Sequence, residues 1–183
     1  ESKSPRGVPA NRARRGDGVK RITELALDPG LAFPGAASGT DLNAFCDLAE
    51  KSALDSGAVF RLPDDPSEEI WDDGFLRFPS QISTATAENN MVHAKLTRAK
   101  PCSHAVLVFH HWNATSRNAG LARFLARRGL AVFEMAMPYH LERSCPGSLH
   151  ADHMLSPNLG RTMQSIRQAV VDGRELVQIV RRA

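Results

Sequence analysis

The sequence predicts an α/β domain, and three observations carry that expectation. Two apolar runs, residues 105–109 (AVLVF) and 130–137 (LAVFEMAM), are too short for buried helices and suit strands covered on both faces. Each run is followed by a segment whose apolar residues recur at helical spacing. Strand, helix, strand, helix with apolar strands is the order of a parallel sheet joined by right-handed crossovers. The 183 residues suffice for one domain with a sizeable core.

The elements follow in chain order. Residues 1–40 cluster Pro, Gly, Ser and Arg with little periodic apolar signal, and read as a mostly irregular, basic segment. Asp41 is placed as the N-cap of a helix with Leu42, Phe45, Leu48, Cys46, Ala49 and Ala53 as its apolar residues and Gly57 as its stop. Residues 63–74 (PDDPSEEIWDDG) are acidic and turn-rich, a surface connection. Residues 41–74 thus precede a main domain over 75–183. That domain opens with two short strands of antiparallel type, at 75–78 and 91–97, the second alternating Val92, Ala94 and Leu96 with His93, Lys95 and Thr97. After the 105–109 strand, Thr115 or Ser116 is placed to cap a helix with Leu121, Phe124 and Leu125 on one face, closed by Gly129. Ser156-Pro157 opens the last helix, with Leu159, Met163, Ile166, Val170, Val177 and Val180 at helical spacing. Between them, residues 138–155 form a connection long enough to be functional.

Charge and cysteine usage narrow the function classes. Of the net +3, residues 1–21 carry +5 and the remaining 162 residues −2, so the basic character is an arm rather than a folded surface. That weighs against nucleic acid as a partner. No apolar run approaches the ~20 residues that span a bilayer, which weighs against a membrane. Cys46, Cys102 and Cys145 are sparse and lack CxxC spacing, as suits a reducing, cytoplasmic compartment. The first residue is Glu rather than Met, which fits a missing or processed start.

The chemistry-bearing stretch is residues 104–113, HAVLVFHHWN: a buried strand that ends in His110, His111, Trp112 and Asn113. In open α/β sheets, ligands bind beyond the carboxyl ends of the strands. Pro138-Tyr139-His140 follows the next strand and falls on the same edge of the sheet.

The order of elements, with the motifs FLRFPS, ENNMVH, FHHWN, MPYH, ADHMLSPNLGRT and RQAVVDGRELV, resembles the N-terminal half of a bacterial α/β-hydrolase-fold protein over about residues 70–183. The resemblance implies a partial α/β-hydrolase-like sheet, cut short before the nucleophile elbow, in a parent that hydrolyses esters or acyl groups without a cofactor. It implies that the His110–Asn113 loop carries the oxyanion hole, with the Trp112 backbone N–H as donor and His111 and Asn113 beside it. Many relatives have His-Gly where this chain has His110-His111. It implies a substrate pocket at His110, Tyr139 and His140 for a small ester or acyl compound. Trp112 reads alternatively as a core filler, and 138–140 as a packed loop with a surface histidine. Asp152, His153 and Asn158 read as structural caps ahead of substrate contacts. No serine of the chain lies in G-x-S-x-G, so the implied nucleophile, acid and histidine fall beyond Ala183, and the chain alone is expected to be inactive.

Two rival readings remain. His150-Ala-Asp152-His153, among five histidines between His110 and His153, suits a metal-dependent hydrolase, although a paired His-x-His is absent. A complete, non-catalytic binding module is the other, opposed by a sheet that ends on an apolar parallel strand.

Overall fold

The computed structural model describes residues 24–62, 67–148 and 150–183. Among them the chain forms an α/β fold with a five-stranded mixed sheet and five α-helices. The strands are β1 (Ile70–Asp72), β2 (Phe75–Pro79), β3 (Met91–Thr97), β4 (Ala105–Phe109) and β5 (Ala131–Met135). Their order across the sheet is β1-β2-β3-β5-β4. The first three form antiparallel pairs, β3 pairs antiparallel with β5, and β4 and β5 are the one parallel pair. The helices are α1 (Pro29–Ala32), α2 (Leu42–Leu54), α3 (Ser56–Val59), α4 (Ala119–Ala126) and α5 (Leu159–Arg182).

The main core forms where α5 lies on the sheet. Leu76, Phe78, Val92, Ala94, Phe133 and Met135 from the strands close over Leu176 and Ile179. The alternation in β3 works as expected, with Val92 and Ala94 fully buried. A second, smaller cluster joins Ala32 and Phe33 to Phe45 of α2, with Leu159 and Met163 of α5 beneath. The segment before α1 is stitched to α5 by backbone bonds from Leu159 N to Ala26 O (2.8 Å) and from Gly160 N to Leu27 O (2.7 Å). Residues 24–40 are therefore packed against the domain despite their weak apolar pattern; residues 1–23 lie outside the described residues.

Several expectations give way. The turn-rich stretch supplies β1, which pairs back on β2 as a hairpin through Asp73 and Gly74, both with positive φ (47° and 73°). Three N-terminal strands therefore stand where two were expected. Helix α2 begins at the Asp41 cap, whose side chain accepts from Ala44 N, but stops at Leu54; Gly57 falls within α3. Cys46 is exposed rather than packed. Asn118, not Thr115 or Ser116, caps α4, because its side chain reaches Leu121 N. Likewise Asn158, not Ser156, caps α5. Strand β4 was expected to be covered on both faces, yet it is the sheet edge, and Phe109 is 49% exposed.

The inner face of α5 is the largest departure. Of the expected apolar stripe, Ile166, Val170 and Val177 are exposed. The buried face instead carries Ser165, Gln168, Asp172 and Glu175 among Ala169, Val171, Leu176 and Ile179. These polar groups are matched by others from the sheet edge. Asp172 accepts from Ser80 Oγ (2.7 Å) and pairs with Arg143 Nη2 (2.8 Å). Arg143 also donates to Asn89 O (2.7 Å) and Ala136 O (3.2 Å). Gln168 exchanges bonds with Asn89, whose Oδ1 receives the Tyr139 N–H. A buried polar network of this kind is tolerable because nearly every member finds a partner.

Candidate functional site

Parallel pairing sets Phe109 of β4 beside Met135 of β5, so the two following loops leave the sheet side by side. His110 and His140 then bind the loops to each other reciprocally. His110 Nε2 accepts the N–H of Met137 (3.1 Å), in the loop after β5. His140 Nε2 accepts the N–H of Asn113 (2.8 Å), in the loop after β4. A backbone N–H always donates, so each Nε2 carries a lone pair and each Nδ1 carries the proton. Those protons go to His111 O (2.9 Å) and Pro138 O (2.8 Å). The rings stand 4.7 Å apart.

Both imidazoles are held below the ordinary histidine pKa, first because burial disfavours their charged form. A carbonyl acceptor pulls each upward, but less strongly. Nearby positive groups add to the depression: Arg117 and His111 for His110, and His110, His111 and Arg143 for His140. At neutral pH both are neutral, with both nitrogens spent on the backbone. They act as latches of the loop, not as bases facing a ligand.

Asn113 sits at φ 61°, a left-handed conformation that Asn tolerates better than most residues. Its Oδ1 accepts from Ala151 N (3.2 Å) and its Nδ2 lies 3.2 Å from His150 Nδ1, tying the loop to the segment before α5. At the loop tip His111 is exposed and Trp112 is 49% exposed, so the indole does not fill the core. Among the described residues nothing accepts the Trp112 N–H.

The expected site residues separate into groups. His110, Asn113 and His140 come together as described. His110 and His111 line a cleft of about 440 Å³ at the strand ends, with Ser116, Arg117, Asn118 and Glu134 opposite. Arg117 is fixed there by two bonds to Glu142 (2.6 and 2.8 Å). Burial raises the Glu142 pKa, but the Arg117 bonds and charge outweigh it, and the carboxyl falls below its ordinary range. Trp112 does not line that cleft. Tyr139 does not either: its ring packs edge-on to His153, 5.3 Å away, and lines another cleft. His140 is 2% exposed, so it is neither a surface residue nor open to a substrate. Among the described residues, no group of three or more His, Cys, Asp and Glu side chains is placed to hold a metal ion. None of the helices described is long and apolar enough to cross a membrane.

Arg117, Glu134, Arg143 and Asp172 went unread in the sequence. Glu134 carried a signal, as the single charge inside the apolar run 130–137. Arg143 and Asp172 carried none, since their pairing spans 29 positions and depends on the tertiary fold. No protein-family model matches the chain, and no curated protein matches it.

Proposed function

We propose that this chain carries the oxyanion loop of a serine-type α/β hydrolase acting on small ester or acyl substrates. The carrying observation is the Trp112 N–H. It lacks a partner among the described residues, on a loop whose neighbours on both sides are locked by His110 and His140. A donor held still before reaction is what stabilises charge developing on a carbonyl oxygen. The position supports the reading as well. Between β3 and β4 the chain passes over the place that β5 later fills, and such order switches at carboxyl strand ends are where α/β sheets bind ligands. On this reading His111 and Asn113 flank the donor, the Arg117 cleft faces the substrate with His110 as a fixed part of its wall, and the nucleophile comes from outside these 183 residues.

The open edge of β4, with Phe109, Val170 and Val177 exposed near it, favours a sheet that continues past this strand in the parent. The coding frame beyond codon 183 tests this directly. An apolar strand followed by G-x-S-x-G within about 25 residues is expected, given the reach of a βα crossover. A stop codon in that interval overturns the proposal. In the extended protein, Trp112→Pro removes the N–H and is expected to lower kcat on p-nitrophenyl esters by about 10²–10³ with little change in KM. Unchanged kcat would remove Trp112 from the role.

A further inference from the structure

A second cleft, of about 360 Å³, opens between α1, the loop at 83–86 and the first turns of α5. Arg161 and Gln164 of α5 line it, with Tyr139, His153, Thr86 and Leu31. Two features set it apart from a packing defect. The Arg161 guanidinium makes no ion pair or hydrogen bond among the described residues, although the side chain is half-buried. Tyr139 is 95% buried as a residue, and its hydroxyl, which keeps contact with solvent, also finds no partner among them. Both groups line the same cleft with their donors spent on no protein acceptor, so a ligand that accepts from them would take the place of water there.

We propose that this cleft binds a small monocarboxylate with a short apolar body. The planar guanidinium fork matches a carboxylate in bidentate geometry. The Tyr139 hydroxyl and the Gln164 amide are further donors. Burial, and after it the Arg161 charge, hold His153 below its ordinary pKa, against a smaller opposite pull from Asp152. His153 therefore enters as a neutral ring, and Arg161 is the cleft's one permanent cation among the described lining residues. One positive charge matches a carboxylate and leaves a phosphate dianion half-neutralised. Leu31, Ala85 and the Tyr139 ring form the apolar walls for the rest of the molecule. Arg161 takes part in the fold through its backbone, its N–H donating to the Asn158 Oδ1 cap and its carbonyl accepting the Ser165 hydroxyl. The inference does not rest on the hydrolase reading; the cleft holds its ligand whether or not chemistry occurs at the Trp112 loop.

The test is a chemical-shift titration of the ¹⁵N-labelled protein with hexanoate, hexanamide and inorganic phosphate. Hexanoate is expected to give saturable shifts at Tyr139, His153, Arg161 and Gln164, with hexanamide and phosphate each at least about tenfold weaker. Arg161→Gln is expected to lose binding by about tenfold or more while its remaining spectrum stays native. Gln164→Glu, which sets a negative charge beside the ligand, is expected to weaken hexanoate and leave hexanamide unchanged. Equal binding of hexanamide would mean an apolar crevice, and equal binding of phosphate a general anion site. Either result overturns the proposal, as does the absence of saturable shifts or an unaffected R161Q.

Discussion

Removing the Arg143 guanidinium should do more damage than removing any exposed charge in this protein. Arg143 and Asp172 are both fully buried, 2.8 Å apart, so Arg143→Met leaves a carboxylate without its counter-charge. Breaking a buried pair from one side costs about 3–5 kcal/mol. Met also abandons Ala136 O, for which Arg143 is the donor, whereas Asn89 O keeps Gln168 as a second donor (3.3 Å). One orphaned carbonyl adds about 1–3 kcal/mol. The reverse change, Asp172→Leu, strands the guanidinium and frees Ser80 Oγ, at a similar ~3–5 kcal/mol. The double variant removes both charges and retains mainly the carbonyl cost, so it should be less destabilised than the sum of the singles by at least ~2 kcal/mol. Urea unfolding followed by circular dichroism reads this out: with a slope of about 2 kcal/mol/M, a 4 kcal/mol loss moves the midpoint by about 2 M. If the single costs simply add in the double variant, the two groups are not coupled as charges and the reasoning fails. If Arg143→Met costs under about 1 kcal/mol, water reaches the pair and the burial argument fails with it.

Three further outcomes follow from other parts of the fold. Folded-state pKa values of His110 and His140 lie below the unfolded value, so the unfolded chain binds protons more readily; the latches contribute fully above about pH 6.5 and lose their contribution as pH falls through the depressed values. Amide exchange at Asn113 and Met137, corrected for intrinsic rates, should therefore quicken on acidification from pH 7, and His140→Gln should flatten the response at Asn113; an unchanged profile in that variant would exclude the latch. Gly160→Ala should be severe, because its Cβ would fall 2.0 Å from Asp28 O and 2.5 Å from Leu27 O, both backbone; a loss of ~2–3 kcal/mol and exposure of residues 26–33 to proteolysis are expected, and a native melting temperature would contradict them. Gly173→Ala should be neutral or stabilising by up to about 1 kcal/mol, since its Cβ meets the half-exposed Phe109 ring at 3.2 Å, which has room to move, while helix propensity gains; a marked drop in melting temperature would show that Phe109 is pinned.

How much of this was legible depends on how far apart the interacting groups lie in the chain. Strands β3 and β4 have the boundaries that alternation and the apolar run predict, because each signal is local and repeats over a few residues. Helix α5 was legible as a helix for the same reason, yet its inward face was misjudged. Apolar spacing marks the face that water would avoid, whereas the observed inner face is half polar and is stabilised by partners up to 108 positions away. The quoted motifs tell the same story. Ser80 ends FLRFPS, Asn89 lies in ENNMVH, and Gln168 and Asp172 lie in RQAVVDGRELV; in the fold these four converge on one buried network.

The sequence by itself determined strands β2 to β5 and helices α2, α4 and α5, though not β1, α1 or α3, together with the clustering of His110 to Asn113 at a strand end and the separation of the basic arm from a near-neutral remainder. Local preferences suffice for those features, since backbone conformation and periodic burial are set within one element. Tertiary structure alone decided that β4 lies at the sheet edge and that His110 and His140 are spent on each other's loops. It also decided that Tyr139 packs on His153 and lines the Arg161 cleft rather than the cleft at His110, and that Arg143 meets Asp172. Each of these depends on which strand neighbours which. A parallel pair with β5 between β3 and β4 is one arrangement among several that the same apolar runs allow. Once that order is fixed, the loops at the carboxyl ends have one set of neighbours, and the chemistry available to each side chain follows from it.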